Sequence, residues 1–240
     1  MSHTKMLDSL DPHWRDLYRL GGIAVLTNLA VMLISVVGYL IWPNAAGTTP
    51  TEEIFALIQN NLWAAFIALD LGVSIGNLVS ILIYLALYIA LRRVKASSAL
   101  IALALGLFAL AAMIAARPVL EIFTLSNAYA EAATESDKVL YLTAGESLLV
   151  QFHGAAWHTS IFFGSLASLI FASLMRHSPD FGRTLAYIGI VTFAIGTFFW
   201  LPGIGVMLLF LNMLGSVPWS ILLARAFFRL AKETSQELHS

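Results

Sequence analysis

Residues 70–93 read DLGVSIGNLVSILIYLALYIALRR, and this stretch decides the fold class. It is long enough to cross a bilayer as a helix, which takes about 20 residues, and it closes on two arginines. At about 100° per residue, Asp70, Ser74, Asn77, Tyr84 and Tyr88 fall within roughly 40° of one line. That single stripe carries nearly every polar group. The other faces are Leu, Ile, Val and Ala and are expected to meet lipid. Gly72 and Gly76 form a Gly-xxx-Gly pair, which lets a second helix come close. A polar stripe with an ionisable group in a span reads either as a packing seam or as one wall of a wet cavity.

The rest of the chain repeats the apolar theme. Of 240 residues, 59% are hydrophobic and only 11% charged, where a soluble domain carries about 25%. Apolar runs at 20–42, 64–92, 97–118, 146–175, 184–201 and 204–228 leave no separate soluble domain. The expectation is one all-α, polytopic integral membrane domain of six transmembrane helices over residues 1–240. A net charge of -1 gives no basic field for nucleic acid. The absence of cysteine removes disulfides, thiolate metal sites and cysteine nucleophiles together. Met1 to Leu20 carries Asp8, Asp11 and Asp16 and has no apolar core, so it does not read as a cleavable signal peptide. Asp11-Pro12 reads as a helix start. Trp14, Leu17 and Tyr18 then belong either to a short surface helix or to the first turns of span one.

Topology follows from charge. With the N-terminus in the cytoplasm, 11 of the 13 Lys and Arg lie inside, and only Arg117 and Lys138 lie outside. The positive-inside rule therefore puts both termini in the cytoplasm. At 1.5 Å per residue, Asp70, Arg117, His153 and His158 all stand roughly 27 to 34 Å from the inner cations, at the outer edge of the hydrocarbon. Asn77 lies deeper.

Between the spans, residues 43–50 form a turn-rich loop. Thr51-Glu52-Glu53 reads as a helix cap with first-turn acids, leading into a short interfacial helix over 54–63. In span one, Asn28 is placed to bond a neighbouring helix. Arg117 and Glu121 are four apart and can pair along one helix face, although Pro118 loosens the helix there. Residues 124–145 read as broken helix, Pro202-Gly203 as a tight turn, and Pro218 as a kink in span six.

The fourth span opens with Glu146, Gln151, His153, Trp157 and His158, groups that are expensive in lipid. His153 and His158 are possible metal ligands, joined by Asp70, Glu121 or Glu146. On a regular helix they stand about 140° apart, so they share a metal only if the helix is distorted near Gly154. Histidine beside carboxylates also permits acid–base chemistry, but no nucleophile elbow, phosphate loop or dinucleotide fingerprint is present. Neither a cofactor nor a catalytic residue is assigned. The expected site is an outward-facing polar pocket that binds or transports a small molecule or lipid headgroup. Asp70, His153 and His158 would be its charged or switchable contacts, Arg117 an anion contact or counter-ion and Asn77 the floor, with Glu121 and Trp157 beside them. Two alternatives stand next to it. One is an intramembrane enzyme using histidine and carboxylate or metal chemistry. The other is an ion-pair network that locks the outer ends of a structural or accessory subunit, working through a membrane-protein partner or as a homo-oligomer.

Several motifs carry a resemblance. They are Arg19-Leu-Gly-Gly22, Asp70 through Tyr84-Leu-Ala-Leu-Tyr88 to Arg92, Tyr129, Phe181-Gly-Arg183 and Leu223-Ala-Arg-Ala-Phe-Phe-Arg-Leu230. Over nearly its whole length the chain resembles a bacterial family of six-span membrane proteins, the domain of unknown function 4386 family. The resemblance implies a six-helix integral membrane fold in a bacterial inner membrane. It brings no catalytic residues.

Overall fold

The computed structural model describes residues 14–43 and 45–236. Its regular elements, among the described residues, are all helical. In chain order they are α1 (Arg15–Ile41), α2 (Thr51–Asn60), α3 (Leu62–Ala68), α4 (Leu71–Ala115), α5 (Val119–Glu131), α6 (Glu135–Leu149), a 3-10 turn (Val150–His153), α7 (Ala155–Met175), α8 (Arg183–Thr197) and α9 (Gly205–Gln236). Among the described residues, four helical stretches are long and apolar enough to cross a bilayer: Arg15–Ile41, Leu71–Glu131, Glu135–Met175 and Gly205–Glu233. The Asp11-Pro12 helix start lies outside the described residues. From Arg15 onward α1 runs unbroken, and Tyr18 is fully buried, so this segment is the start of the first long helix and not a surface helix.

The chain packs as two compact units. Unit 1 comprises Met1–Leu29, Leu78–Leu110 and Ser160–Ser240, and unit 2 comprises Ala30–Asn77 and Ala111–Thr159.

Unit 1 is built on a core of Tyr18, Leu87, Leu91, Phe171, Met175 and Phe227. Inside α4, Lys95 has extended backbone (φ -158°, ψ 98°). A Cβ on Gly106 would stand 2.9 Å from the Tyr84 ring. Those two residues lie equally far on either side of Lys95, and in an unbroken helix they would be about 33 Å apart. The chain therefore doubles back at Lys95, and α4 is two antiparallel arms. The apolar faces of 70–93, expected to meet lipid, divide into exposed and buried positions. Ile75, Leu78 and Ile81 are exposed, but Ala86, Leu87, Ala90 and Leu91 are buried in the core. Polar groups join neighbouring helices. Asn28 donates to the Ser80 hydroxyl at 2.5 Å, and Asn212 donates to the Thr192 carbonyl at 2.8 Å.

Unit 2 has its own core of Ile54, Phe55, Leu69, Ile122, Leu149 and Phe152. Helix α6 lies so close to α2 that a Cβ on Gly145 would stand 2.6 Å from the Phe55 ring. The Ser126 hydroxyl donates to the Phe55 carbonyl at 3.3 Å, tying α5 to α2. The helical path over 54–92 is not continuous. Asn61 ends α2 and caps α3, its side chain accepting from the Ala64 amide at 3.1 Å. A second break follows at Asp70. The broken helix expected over 124–145 is α5 and α6, with Thr134 capping the second by accepting from the Asp137 amide at 3.1 Å.

Candidate functional site

Asp70 lies between α3 and α4 with left-handed backbone (φ 53°, ψ 32°). It is the one positive-φ residue other than glycine among those described. An L-residue pays roughly 1–2 kcal/mol for this conformation, so its surroundings must hold it. Tyr39 donates its hydroxyl to Asp70 Oδ1 at 2.5 Å, and Arg117 Nη2 donates to Oδ2 at 2.8 Å. Arg117 Nη1 donates to the Phe152 carbonyl at 2.9 Å, and the guanidinium lies 4.8 Å over the Phe152 ring. The Arg117 side chain is 4% exposed and that of Asp70 17%, so this ion pair is buried at its cation and half-buried at its carboxylate, with further hydrogen bonds. The remaining guanidinium nitrogen, Nε, is buried with no hydrogen-bond partner among the described residues.

The same geometry corrects the pairing of Arg117 with Glu121. Pro118 caps α5, so Arg117 lies outside that helix and the four-residue spacing does not apply. Glu121 points outward from the first turn of α5 and is exposed. Asn77 also stands apart, because its amide turns back to the Val73 carbonyl of its own helix at 2.9 Å.

The run 146–175 is not one helix. It passes through the 3-10 turn, breaks at Gly154 and restarts as α7. His153 and His158 are therefore not related by a regular helical angle. Each packs edge-to-face on Trp157, at centroid distances of 5.1 and 4.8 Å. His158 Nδ1 is 3.0 Å from the Gly154 carbonyl oxygen. Both rings are exposed. Among the described residues no three His, Asp or Glu converge to hold a metal ion.

A polar open space of unit 2 lies elsewhere. A cleft of about 530 Å³ runs between the 47–52 loop and α6. Thr48, Thr49, Thr51, Glu52, Thr143 and Glu146 supply its polar lining, and Val139, Leu142, Leu149 and Val150 its apolar lining. The loop is held in place. Gly47 adopts φ +82°, and a Cβ there would stand 2.8 Å from His153 Nδ1 and 3.0 Å from the Leu149 carbonyl oxygen. The Ala46 amide donates to the Ala68 carbonyl at 2.9 Å, and the Ala45 amide to Thr49 Oγ1 at 2.9 Å. Glu52 accepts from the Tyr129 hydroxyl at 3.2 Å.

Asp70 and Arg117 are thus absent from the cleft lining but brace what the lining rests on. Arg117 grips the turn that sets His153 against Gly47. Asp70 fixes the turn just after Ala68, which holds Ala46. Of the residues singled out from sequence, Asp70, Arg117 and His153 form this support. Sequence reasoning missed Glu52 as a lining group by treating it only as a helix-terminal acid. It missed the threonines by treating them only as turn residues.

A second, apolar space of about 420 Å³ lies between α1 and α3. It is lined by Leu33, Ile34, Val37, Gly38, Ile41, Trp42, Trp63, Phe66 and Ile67. Comparison with protein-family models, curated proteins and solved structures finds no match to the chain in any of the three.

Proposed function

We propose that the chain is a six-span membrane protein with both termini in the cytoplasm, whose outward-facing cleft binds or passes a small polar molecule or a lipid headgroup. The observation that carries this is the 530 Å³ cleft itself, with four threonines and two glutamates on a wall braced by a buried ion pair. Convergent polar groups in a concave site are the usual mark of ligand binding. The count of six is supported by reading the two arms of α4 separately and adding the shorter apolar helix α8 to α1, α7 and α9. The charge pattern supports the orientation. Unit 2 contains only Arg117 and Lys138 of the 13 Lys and Arg, and the other 11 belong to unit 1. A bacterial inner membrane and kinship with the domain of unknown function 4386 family are proposed on the sequence motifs alone.

A second reading has one observation in its favour: both Asp70 oxygens are already occupied. A saturated ion pair suits a lock in an accessory subunit that acts through a partner protein.

Ligand-dependent thermal stabilisation of the detergent-purified protein separates the two. A ligand at 100 times its Kd adds about 2.7 kcal/mol. Members of a panel of small polar compounds and lipid headgroups should stabilise the wild type, with the effect lost in Glu146→Gln and Thr143→Val. An unchanged response in both variants, or no response to any compound, refutes the cleft as the site.

A further inference from the structure

The polar cleft and the apolar groove of unit 2 are neighbours. Trp42 is the last groove residue before the loop and Gly47 begins the cleft lining, and five residues of chain span at most about 18 Å. The connection is tighter than that limit. Ala46, next to Gly47, donates its amide to the carbonyl of Ala68, next to the groove residue Ile67, at 2.9 Å. One backbone hydrogen bond therefore separates a wall of one space from a wall of the other.

The two spaces differ sharply in chemistry. Every groove residue is apolar, and the groove opens on the exposed face of a helix long and apolar enough to cross a bilayer, where Val37 and Ile41 are 54% and 60% exposed. Two tryptophans, Trp42 and Trp63, are part of its lining, and Trp63 is 74% exposed. Tryptophan at such a place is characteristic of the boundary between hydrocarbon and headgroups. The cleft offers hydroxyls from its threonines and carboxylates from Glu52 and Glu146, and no cation lines it. Lys138, on the same helix as Glu146, is engaged by Glu135 at 2.9 Å. Unit 2 as a whole carries eight carboxylates against two Lys or Arg, and one of those, Arg117, is buried against Asp70. Its field therefore favours a positive group.

We propose that cleft and groove are two halves of one site for a bilayer lipid with an ammonium headgroup. The acyl chain lies in the α1–α3 groove between Val37 and Phe66. The ammonium sits between Glu52 and Glu146, and the threonine hydroxyls donate to the phosphate and glycerol oxygens. This rests on the cleft being a binding site, and names what it takes.

The test is native mass spectrometry of the full chain in detergent. The probes are phosphatidylethanolamine, phosphatidylglycerol and the tail-less headgroup phosphoethanolamine. They are run against the wild type, Glu146→Gln and Trp63→Ala, two exposed positions whose replacement leaves the cores intact. The wild type should retain phosphatidylethanolamine at least tenfold better than phosphatidylglycerol. Each variant should lose most of that preference or occupancy. If phosphoethanolamine binds as well as the whole lipid and Trp63→Ala changes nothing, the two-part site is wrong while the polar cleft survives. If phosphatidylglycerol binds as well as phosphatidylethanolamine, the ammonium assignment is wrong. If no probe binds, or if Glu146→Gln leaves every occupancy unchanged, the lipid site is wrong, and the thermal panel of small polar compounds decides whether the cleft reading falls with it.

Discussion

Arg117→Met tests whether the buried ion pair braces unit 2. The substitution keeps an unbranched apolar stem but leaves the Asp70 carboxylate with Tyr39 alone and the Phe152 carbonyl without its donor. Removing one partner of a buried pair costs about 3–5 kcal/mol, because the other charge stays buried and uncompensated. Asp70 is 17% exposed, so the lower half of that range applies. Asp70→Asn makes the complementary change. Asparagine tolerates the left-handed backbone, so this substitution isolates the charge and should cost about 2–3 kcal/mol. The double variant should be less destabilised than the sum of the two, with a coupling of about 2 kcal/mol. Unfolding by a denaturing detergent, followed by tryptophan fluorescence, reads all four proteins. Single variants each within about 1 kcal/mol of the wild type, combining additively, would match an exposed pair and refute the brace.

Three further outcomes follow from particular contacts. Gly47→Ala adds a methyl group 2.8 Å from His153 Nδ1 at φ +82°. It should destabilise by about 1–3 kcal/mol, and ligand protection at the cleft should weaken with it in the same thermal assay. Gly106→Ile drives a side chain into the Tyr84 ring. It should open the hairpin at Lys95 and lower the yield of folded protein in size-exclusion chromatography, where Gly182→Ala, with nothing within 4 Å, should not. Burial pushes the Asp180 carboxyl above its ordinary value of 3.8, partly offset by Arg93, by the Ser178 hydrogen bond and by Arg229. A raised folded-state pKa means that its contribution to stability is full below the ordinary value and is lost as pH rises through the folded one. Asp180→Asn should therefore gain in Tm relative to wild type from about pH 4 upward and level off once the wild-type carboxyl is ionised. A pH-independent difference would contradict this.

Much of the fold is legible because helical periodicity and charge survive without tertiary information. The helix from Leu71, its close on Arg92 and Arg93 and the Asn28 contact are all local or compositional signals. What the sequence hides is where a helix breaks and which distant partner a charge selects. Asp70 looks like the first polar residue of a continuous span, because nothing in its type announces left-handed backbone. Arg117 has an acid four residues on, but Pro118 takes it out of the helix and releases it to Asp70, 47 residues away in the chain. Asn77 looks like a cavity floor, yet a half-buried amide can satisfy itself on the carbonyl four residues back. The cleft was hidden more deeply still. Its threonines and Glu52 each have a sufficient local explanation as turn and cap residues, and only the packing of α6 against α2 brings Glu146 opposite them. Their clustering in Thr48-Thr49-Pro50-Thr51-Glu52, after a glycine, was the available signal.

Substituted-cysteine labelling is the most direct measurement of where the cleft opens. The chain has no cysteine of its own, so each introduced thiol reports alone. Thr143 lines the cleft and is exposed, and His177 is exposed in the turn between α7 and α8. In intact bacterial cells a membrane-impermeant maleimide should label Thr143→Cys and spare His177→Cys until the membrane is permeabilised. Addition of phosphatidylethanolamine to the purified protein should slow labelling of Thr143→Cys. The reverse pattern, with His177→Cys labelled from outside and Thr143→Cys protected, would contradict an outward-facing cleft.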